Sequence, residues 1–317
     1  MTKKLNYMRK IIRIASFALL LAVGVACNNN DVPQEPMGTY PILFRCMDET
    51  RATATVESMQ NDDNGFNVYA FFTSTAAPNG LSFTKNVKYN NGSWTYQHNN
   101  QGLEYWIPGA TYYFKAVYPT TIDYDVDNST TTQPLTITEY DITSQDDILV
   151  AETSRDGLFV NANGEPTSGS IVKLNFKHLL ANVVVKIKSE IPNVTVSNVS
   201  FEGVAQSGKY ENDKWTASQT VSFGKSYNGD PLVKDAKDYV DVTGGGILVI
   251  PEKINGSQKI YITTSHKVYD FVLQPITWER GMLYTYTLTI KQENIVFNEP
   301  TVEVWDEENA TGSVIIK

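Results

Sequence analysis

Short runs in which apolar and polar residues alternate constrain the fold of this chain more than any other feature. In such a run, the apolar side chains share one face of a β-strand and the polar ones share the other, as in a sandwich. Helical periodicity is almost absent. An α/β nucleotide-binding fold needs alternating helices of about ten or more residues, so that fold is excluded. The sequence predicts an all-β protein, with its clearest alternation at Tyr40-Ile42-Phe44, Val172-Leu174-Phe176, Ile260-Ile262 and Tyr284-Tyr286-Leu288-Ile290.

Turn residues separate these runs and indicate where the chain divides. The segment from Arg155 to Ser170 has the weakest strand signal, and we place a domain boundary inside it. The prediction is an N-terminal β-sandwich over residues 40–165 and a C-terminal one over residues 166–317, each of ordinary domain size. The strongest turn signals are Asn90-Asn91-Gly92, Asn163-Gly164, Asn228-Gly229-Asp230 and Asn255-Gly256, which favour tight turns.

The first 26 residues are typical of a secretory signal peptide. An apolar run from Ile14 to Ala26 ends in small residues. It is shorter than the roughly 20 residues with which a helix crosses a bilayer. The basic patch that precedes it contains Lys3, Lys4, Arg9, Lys10 and Arg13.

The residues before Cys27 resemble a bacterial lipobox, in which the cysteine is lipidated and becomes the mature N-terminus. Gly24 stands where leucine is usual, so an ordinary signal peptide cut near Ala26 remains an alternative. The polar residues Asn28–Asn30 favour a flexible tether. We predict lipidation at Cys27 and a tether over residues 27–39. The acyl chains would anchor the protein, since each buried methylene contributes about 0.8 kcal/mol.

The charge of the exported part excludes some classes of partner. Five of the 26 basic residues and none of the 35 acidic ones precede residue 27, so residues 27–317 carry 21 basic and 35 acidic residues, a formal balance of −14. This acidic surface argues against nucleic acid and anionic lipid headgroups as ligands.

No spacing typical of an enzyme or a metal site occurs. The histidines His98, His178 and His266 are far apart, and none of the common hydrolase, metalloprotease or phosphate-loop patterns is present. The acidic run from Asp123 resembles the start of a calcium loop, but Asn128 and Pro134 stand where glycine and a bidentate glutamate are needed. We predict no catalytic residue, metal or cofactor. A glycosidase carboxylate pair stays an alternative, because it needs no sequence motif.

Aromatic residues are concentrated in the first predicted domain. Strand tyrosines normally alternate into a sandwich core, and that is the interpretation we favour here. The alternative is an exposed platform that stacks on sugars, for which the tryptophans to consider are Trp94, Trp106 and Trp215.

Several phrases across nearly the whole chain resemble the fimbrillin superfamily of Bacteroides-type bacteria, the subunits of type V pili. Their order and spacing carry the resemblance, since no single phrase is specific. They are the alternating strand Tyr40 to Phe44 with Thr50-Arg51-Ala52, Trp106 to Gly109 with Tyr113 to Pro119, Gln145 to Ala151, Leu174 to Ile187, Val249-Ile250-Pro251, and Trp278, Gly281, Tyr284 to Tyr286 and Val304-Trp305.

The resemblance implies two tandem transthyretin-like antiparallel β-sandwiches and a lipoprotein precursor carried to the outer membrane. In polymerising members, a protease cuts after an arginine and releases the first strand, and a neighbour's strand fills the vacated groove. The matching arginine here is Arg51, with Arg45 as the second choice, and the displaced strand would contain Tyr40, Ile42 and Phe44. Arg51 in an uncut subunit, such as an anchor, is the alternative.

The C-terminal segment from Thr301 to Lys317 is the predicted donor strand. Pairing of this segment within its own sandwich is the alternative. Its apolar residues are Val302, Val304, Val314, Ile315 and Ile316.

The sequence thus favours a surface-exposed pilus subunit that supports adhesion and is not an enzyme. The expected partners are other pilin subunits, the outer membrane through the lipid, and a host or glycan receptor. The alternative is a monomeric surface lipoprotein of the outer membrane that binds glycan or a host ligand through exposed aromatic residues.

Overall fold

The fold is seen in a computed structural model, which describes residues 41–46, 59–73, 80–96, 102–107, 110–125, 135–156, 171–292 and 294–305. The predicted signal peptide, the tether with Cys27, Tyr40, Arg51 and the last twelve residues lie outside this described part. The described residues belong to one compact unit of the chain. Among them, no helix has the length and the apolar character that a membrane span requires.

Strands make up most of the regular structure of the described residues, so the all-β prediction is confirmed. One 3-10 turn covers Ile142–Ser144, and residues 59–61 are helical. The strands are β1 (Leu43–Cys46), β2 (Phe66–Thr73), β3 (Gly80–Asn90), β4 (Ser93–Thr95), β5 (Thr111–Tyr118), β6 (Tyr124–Asp125), β7 (Thr136–Asp141), β8 (Leu149–Asp156), β9 (Ile171–Leu174), β10 (Lys177–His178), β11 (Ala181–Ser189), β12 (Val196–Glu211), β13 (Lys214–Ser226), β14 (Val240–Asp241), β15 (Ile247–Val249), β16 (Lys253–Ile254), β17 (Lys259–Thr264), β18 (Val268–Val272), β19 (Ile276–Thr277), β20 (Met282–Ile290), β21 (Ile295–Phe297) and β22 (Thr301–Val304).

The first hydrophobic core lies on a six-stranded antiparallel sheet with the order β10-β8-β5-β2-β3-β4. Its inward side chains include Phe66, Tyr112 and Phe114. The two-stranded parallel sheet of β1 and β9 covers this core, because Phe44 of β1 and Val172 and Leu174 of β9 belong to the same cluster. The alternation seen in the sequence therefore becomes the inner face of a first sandwich.

The second core lies between two further six-stranded sheets. One has the order β14-β11-β20-β21, with β15 and β22 attached, and the other has the order β18-β17-β12-β7-β6, with β13 attached. Phe201 of β12 packs edge-on against Trp278 at 5.7 Å, and Tyr286 of β20 belongs to the same buried cluster. Strands β11 and β20 pair in parallel, whereas most of the other pairs are antiparallel.

The predicted domain boundary near residue 165 lies outside the described residues and stays a prediction. One strand on each side of this boundary pairs with a strand on the other side. Strand β7 pairs with β12 in the second sandwich, and β9 pairs with β1 in the first. Each half thus supplies a strand to the sheets of the other.

Tight turns set the register of two hairpins. Asn91 and Gly92 have φ values of 49° and 84° between β3 and β4, which confirms the turn predicted there. Asn212 and Asp213 have φ values of 51° and 61° in the turn of the long β12–β13 hairpin. Positive φ at both central residues gives the twist that two-residue hairpins require. The second turn did not stand out in the sequence, because it lacks glycine.

Candidate assembly site

The first strand, β1, is a short strand that fills one side of the first core. Its four residues pair in parallel with β9, from Leu43 opposite Ile171 to Cys46 opposite Leu174. Ile42, Phe44 and Cys46 are 0%, 5% and 4% exposed, while Leu43 and Arg45 face solvent. The predicted alternation is confirmed for Ile42 and Phe44, whereas Tyr40 lies outside the described residues.

The buried side chains of β1 insert among aromatic rings. The Phe44 ring lies edge-on to Tyr96 at 5.8 Å and to Phe114 at 5.6 Å. Such pairs contribute about 0.5–1.5 kcal/mol beyond the burial of area. Full burial of a phenylalanine or isoleucine side chain contributes about 1.5–3 kcal/mol. Phe44 of β1 and Ile42, the residue just before β1, are therefore the residues of this segment whose removal would open the largest gap in the core.

A second set of contacts holds the start of β1 on the side away from β9. Ile42 N donates a hydrogen bond to Glu104 O at 2.8 Å, and Tyr96 Oη donates to Ile42 O at 2.7 Å. Burial raises the pKa of Tyr96 above its ordinary value of 10.0, so the phenol remains a donor. Pro41 forms an isolated antiparallel bridge with Tyr105. Strand β1 thus lies in a slot between β9 and the segment 102–107.

Lys85 holds that segment in place. Its Nζ lies 2.6 Å from Glu104 Oε1 and 3.2 Å from Gly102 O. The ammonium also lies 5.7 Å from the centre of the Tyr96 ring. One lysine therefore positions both Glu104 and Tyr96, the two residues that hydrogen-bond the main chain of Ile42.

The two predicted cleavage residues differ in what the structure describes. Arg45 is exposed, but it lies within β1 opposite Lys173 and between the buried residues Phe44 and Cys46. Arg51 lies outside the described residues, five positions after the end of β1. A protease binds an extended and accessible segment, which the chain at Arg45 does not offer while it is paired with β9.

The start of the predicted donor segment lies within its own sheet. Strand β22 pairs antiparallel with β20, with Val302 opposite Tyr284 and Val304 opposite Met282. Val302 is 6% exposed in the second core, whereas Val304 is 48% exposed. Pairing within its own sandwich was the alternative given for this segment, and the structure shows that pairing for Val302 and Val304. Val314, Ile315 and Ile316 lie outside the described residues.

Trp305, the residue that follows β22, contacts the buried His178. His178 is 4% exposed, and its Nδ1 lies 2.5 Å from Asp147 Oδ2. Its ring stacks on Trp305, with 3.6 Å between ring centres and 17° between planes. The sequence contained both aromatic residues but gave no sign of their contact, because 126 positions separate them.

The tryptophans considered for sugar binding take part in packing. Trp106 is 2% exposed and packs on Tyr112 and Phe114. Trp215 is half-buried, and its Nε1 donates to Leu179 O at 2.9 Å. Trp94 is half-buried against Phe66, at 5.2 Å between ring centres. Within the described residues, no group of three or more His, Cys, Asp or Glu side chains is arranged to hold a metal ion.

These features define an all-β protein with two sandwich cores, whose first strand lies in a slot of the first core. The fimbrillin-like family model matches residues 50–305. The chain therefore belongs to the fimbrillin-like family, and the resemblance found in the sequence is confirmed. No curated protein matches the sequence.

Solved structures share the fold at low sequence identity. A fimbrial protein of Bacteroides vulgatus has a TM-score of 0.58 and 16% identity, over 84% of this chain and 99% of that one. A candidate cell adhesion protein of Bacteroides ovatus has a TM-score of 0.53 and 13% identity, over 87% of this chain and 100% of that one. Another from Bacteroides uniformis has a TM-score of 0.52 and 14% identity, over 86% and 100%. These similarities establish the fold.

Proposed function

We propose that this protein is a structural subunit of a cell-surface pilus, which assembles by donor-strand exchange and supports adhesion. The observation that carries the proposal is the placement of β1. Phe44 of this strand and the preceding Ile42 fill the first core, yet among the described residues the only strand partner of β1 is β9. Membership of the fimbrillin-like family supports the same role.

Removal of β1 would create a binding site for another strand. The slot would expose apolar side chains around Phe114 and leave backbone groups of β9 and of segment 102–107 unpaired. An exposed edge of this kind is a template for strand pairing. An added strand supplies main-chain hydrogen bonds and alternating side chains that fill the gaps. Repetition of one head-to-tail contact produces an open filament rather than a closed ring.

Arg51 fits this mechanism better than Arg45. Cleavage after Arg51 releases β1 as a whole, whereas cleavage after Arg45 leaves Cys46 in the slot and requires β1 to leave β9 first. We therefore assign processing to Arg51 and keep Arg45 as the second choice.

We assign the donor strand to the C-terminal residues beyond β22. Val302 and Val304 already belong to a strand of the second sandwich. Alternate residues of a strand share a face, so in a donor strand Val314 and Ile316 would share one face and Ile315 would lie on the other. The pair Val314 and Ile316 matches the spacing of Ile42 and Phe44. This register predicts that Val314 and Ile316 enter the slot and Ile315 does not.

Lipidation at Cys27 would carry the precursor to the outer membrane and expose it at the cell surface. Metabolic labelling with a palmitate analogue tests this step. We expect label on the wild-type protein and none on Cys27→Ser, whereas labelling of the variant would contradict lipidation at that cysteine.

The assembly mechanism is tested with arginine variants of the chain from Asn28 onward. After treatment with an arginine-specific protease, mass spectrometry locates the cut and electron microscopy detects filaments. We expect filaments from the wild type and from Arg45→Ala, and none from Arg51→Ala. Val314→Lys with Ile316→Lys should be cut normally and fail to assemble, while Ile315→Lys should assemble. Filaments from Arg51→Ala or from the double variant would overturn the proposal.

A further inference from the structure

The last described residue before the proposed donor segment is fixed from two sides. Trp305 N donates a hydrogen bond to Gly281 O at 2.8 Å, which continues the pairing of β22 with β20. The Trp305 ring stacks on the His178 ring at 3.6 Å. The main chain of Trp305 thus belongs to the second sandwich, while its ring contacts the chain segment that follows β9.

His178 is itself held by neighbours from the first sheet. His178 pairs with Leu149 of β8, its Nδ1 lies 2.5 Å from Asp147 Oδ2, and Leu179 N donates to Ile148 O at 2.8 Å. Gly281 N donates to Leu180 O at 2.8 Å, on the other side of the same segment. The residues 177–180 therefore join the end of β22 to the first six-stranded sheet.

The same segment leads directly to the slot of β1. Strand β9 ends at Leu174, four positions before His178, and its strand partner among the described residues is β1. Val172 and Leu174 are fully buried beside Phe44 in one cluster. Loss of β1 would leave β9 without a paired strand in the described structure. The segment that carries His178 would then lose the support on its N-terminal side.

We propose that His178 and Trp305 are positioning residues that keep β22 in its own sheet while β1 fills the slot, and that loss of β1 weakens their contact. The proposal rests on the proposed function, because β22 is the strand from which the proposed donor residues extend. According to this proposal, these two side chains couple the occupancy of the slot by β1 to the stability of β22 in its sheet. Spatial proximity alone does not establish coupling, so the test must measure it directly.

Hydrogen exchange of the backbone amides in peptides that cover residues 295–305 measures this coupling in the monomer. In the uncut chain, His178→Ala removes the stacked ring and should accelerate exchange roughly twofold to tenfold, the range expected for loss of an aromatic contact. His178→Phe keeps an aromatic ring and should exchange nearly as slowly as the wild type. His266→Ala, which changes an exposed histidine, serves as the matched control and should have no effect.

The second arm perturbs β1 and leaves the stack residues intact. Phe44→Ala in the uncut chain, and cleavage after Arg51 in the wild type, should each accelerate exchange in residues 295–305. In the His178→Ala background the same changes should add little. Exchange that responds to neither change would overturn the proposal, as would full additivity of the two effects.

The outcomes separate this inference from the proposed function. Cleavage-dependent filaments with unchanged exchange in residues 295–305 would leave donor-strand exchange in place and reject the coupling. Accelerated exchange without filaments would support the coupling and reject assembly by this route. If His178→Ala unfolded the protein more widely, exchange would also accelerate in distant β17. The conclusion would then rest on the His178→Phe variant.

Discussion

At the scale of single residues, Asp241 shows how one carboxylate organises a loop and supports the core beneath it. Its Oδ1 accepts hydrogen bonds from Thr243 N at 2.7 Å and from Thr243 Oγ1 at 2.6 Å, and its Oδ2 accepts from Gly245 N at 2.8 Å. Thr243 Oγ1 in turn accepts from Val185 N at 3.2 Å in the buried strand β11. Burial alone would raise the pKa of Asp241, but the hydrogen bonds from Thr243 and Gly245 outweigh it and hold the pKa below 3.8.

The first prediction concerns Asp241→Asn. Asparagine has one acceptor oxygen in place of two, and if that oxygen keeps the bonds from Thr243, the NH2 group faces Gly245 N and cannot accept from it. We therefore expect a loss of about 1–2 kcal/mol in the free energy of unfolding at pH 7. Because the pKa in the folded protein lies below the unfolded value, the contribution of Asp241 is present above pH 3.8 and is lost as the pH falls below it. Urea unfolding at several pH values should therefore show a difference that shrinks in acid.

Asp238→Asn provides the matched control for this prediction. Asp238 is exposed and close to Asp241 in sequence, so its replacement should change stability by less than about 0.5 kcal/mol. Equal effects of the two substitutions at pH 7 would contradict the assigned role of Asp241. The sequence did not single out Asp241, because an aspartate two positions before a threonine is common in loops. Asp241 acquires its importance here through Thr243, which it holds in place and which accepts a hydrogen bond from distant Val185.

At the scale of secondary-structure elements, the long hairpin of β12 and β13 depends on close contact between its strands. A Cβ atom on Gly224 would lie 2.4 Å from Val199 O and 2.5 Å from Ser200 Cβ. Those atoms belong to the neighbouring strand and cannot move without disturbing its pairing with β17. The two strands can therefore lie this close together only because residue 224 has no side chain.

The second prediction follows from this contact. Gly224→Ala should lower the free energy of unfolding by about 1–3 kcal/mol, as expected when extra volume is forced into a packed site. Gly102→Ala is the matched control, since nothing lies within 4 Å of a Cβ at that position. We expect the control to change stability by less than about 0.5 kcal/mol. Urea unfolding compares the two variants, and equal stability would show that β13 shifts freely.

Strand positions could be predicted from the sequence, but many strand partners could not. Alternation determines which side chains share a face, and it correctly indicated β1, β9, β17 and β20. It says nothing about the neighbour across the hydrogen bonds. The parallel pairs β1–β9 and β11–β20 join segments about one hundred or more positions apart, and such pairs leave no local signal. The boundary near residue 165 was placed where the strand signal is weak. A weak signal does not reveal that β7 pairs with β12, and β9 with β1, across that boundary.

At the scale of the whole molecule, the proposed assembly mechanism involves two distant parts of the chain. These are the slot that β1 fills and the proposed donor residues that follow β22. The sequence indicated β1 through its alternation, and the resemblance supplied its proposed role. The contacts that form the slot, from Tyr96, Glu104 and Lys85, could not be predicted, because these residues come from separate loops and strands that meet only in the fold. The contact of His178 with Trp305 was hidden for the same reason.

The last prediction tests the slot itself with a synthetic peptide of residues 40–51, added under reducing conditions to subunits already cut after Arg51. If donor strands enter the slot that β1 leaves, the free peptide should compete for it and slow filament growth. A peptide with Phe44→Ala loses a side chain buried against Tyr96 and Phe114, a change that costs about 3–5 kcal/mol in protein cores. It should therefore inhibit at least about 100-fold less well. A peptide with Leu43→Ala changes an exposed residue of the same strand and should inhibit within a few-fold of the wild type. Equal inhibition by all three peptides would show that growth does not depend on the apolar face of β1, and donor-strand exchange at this slot would then be rejected.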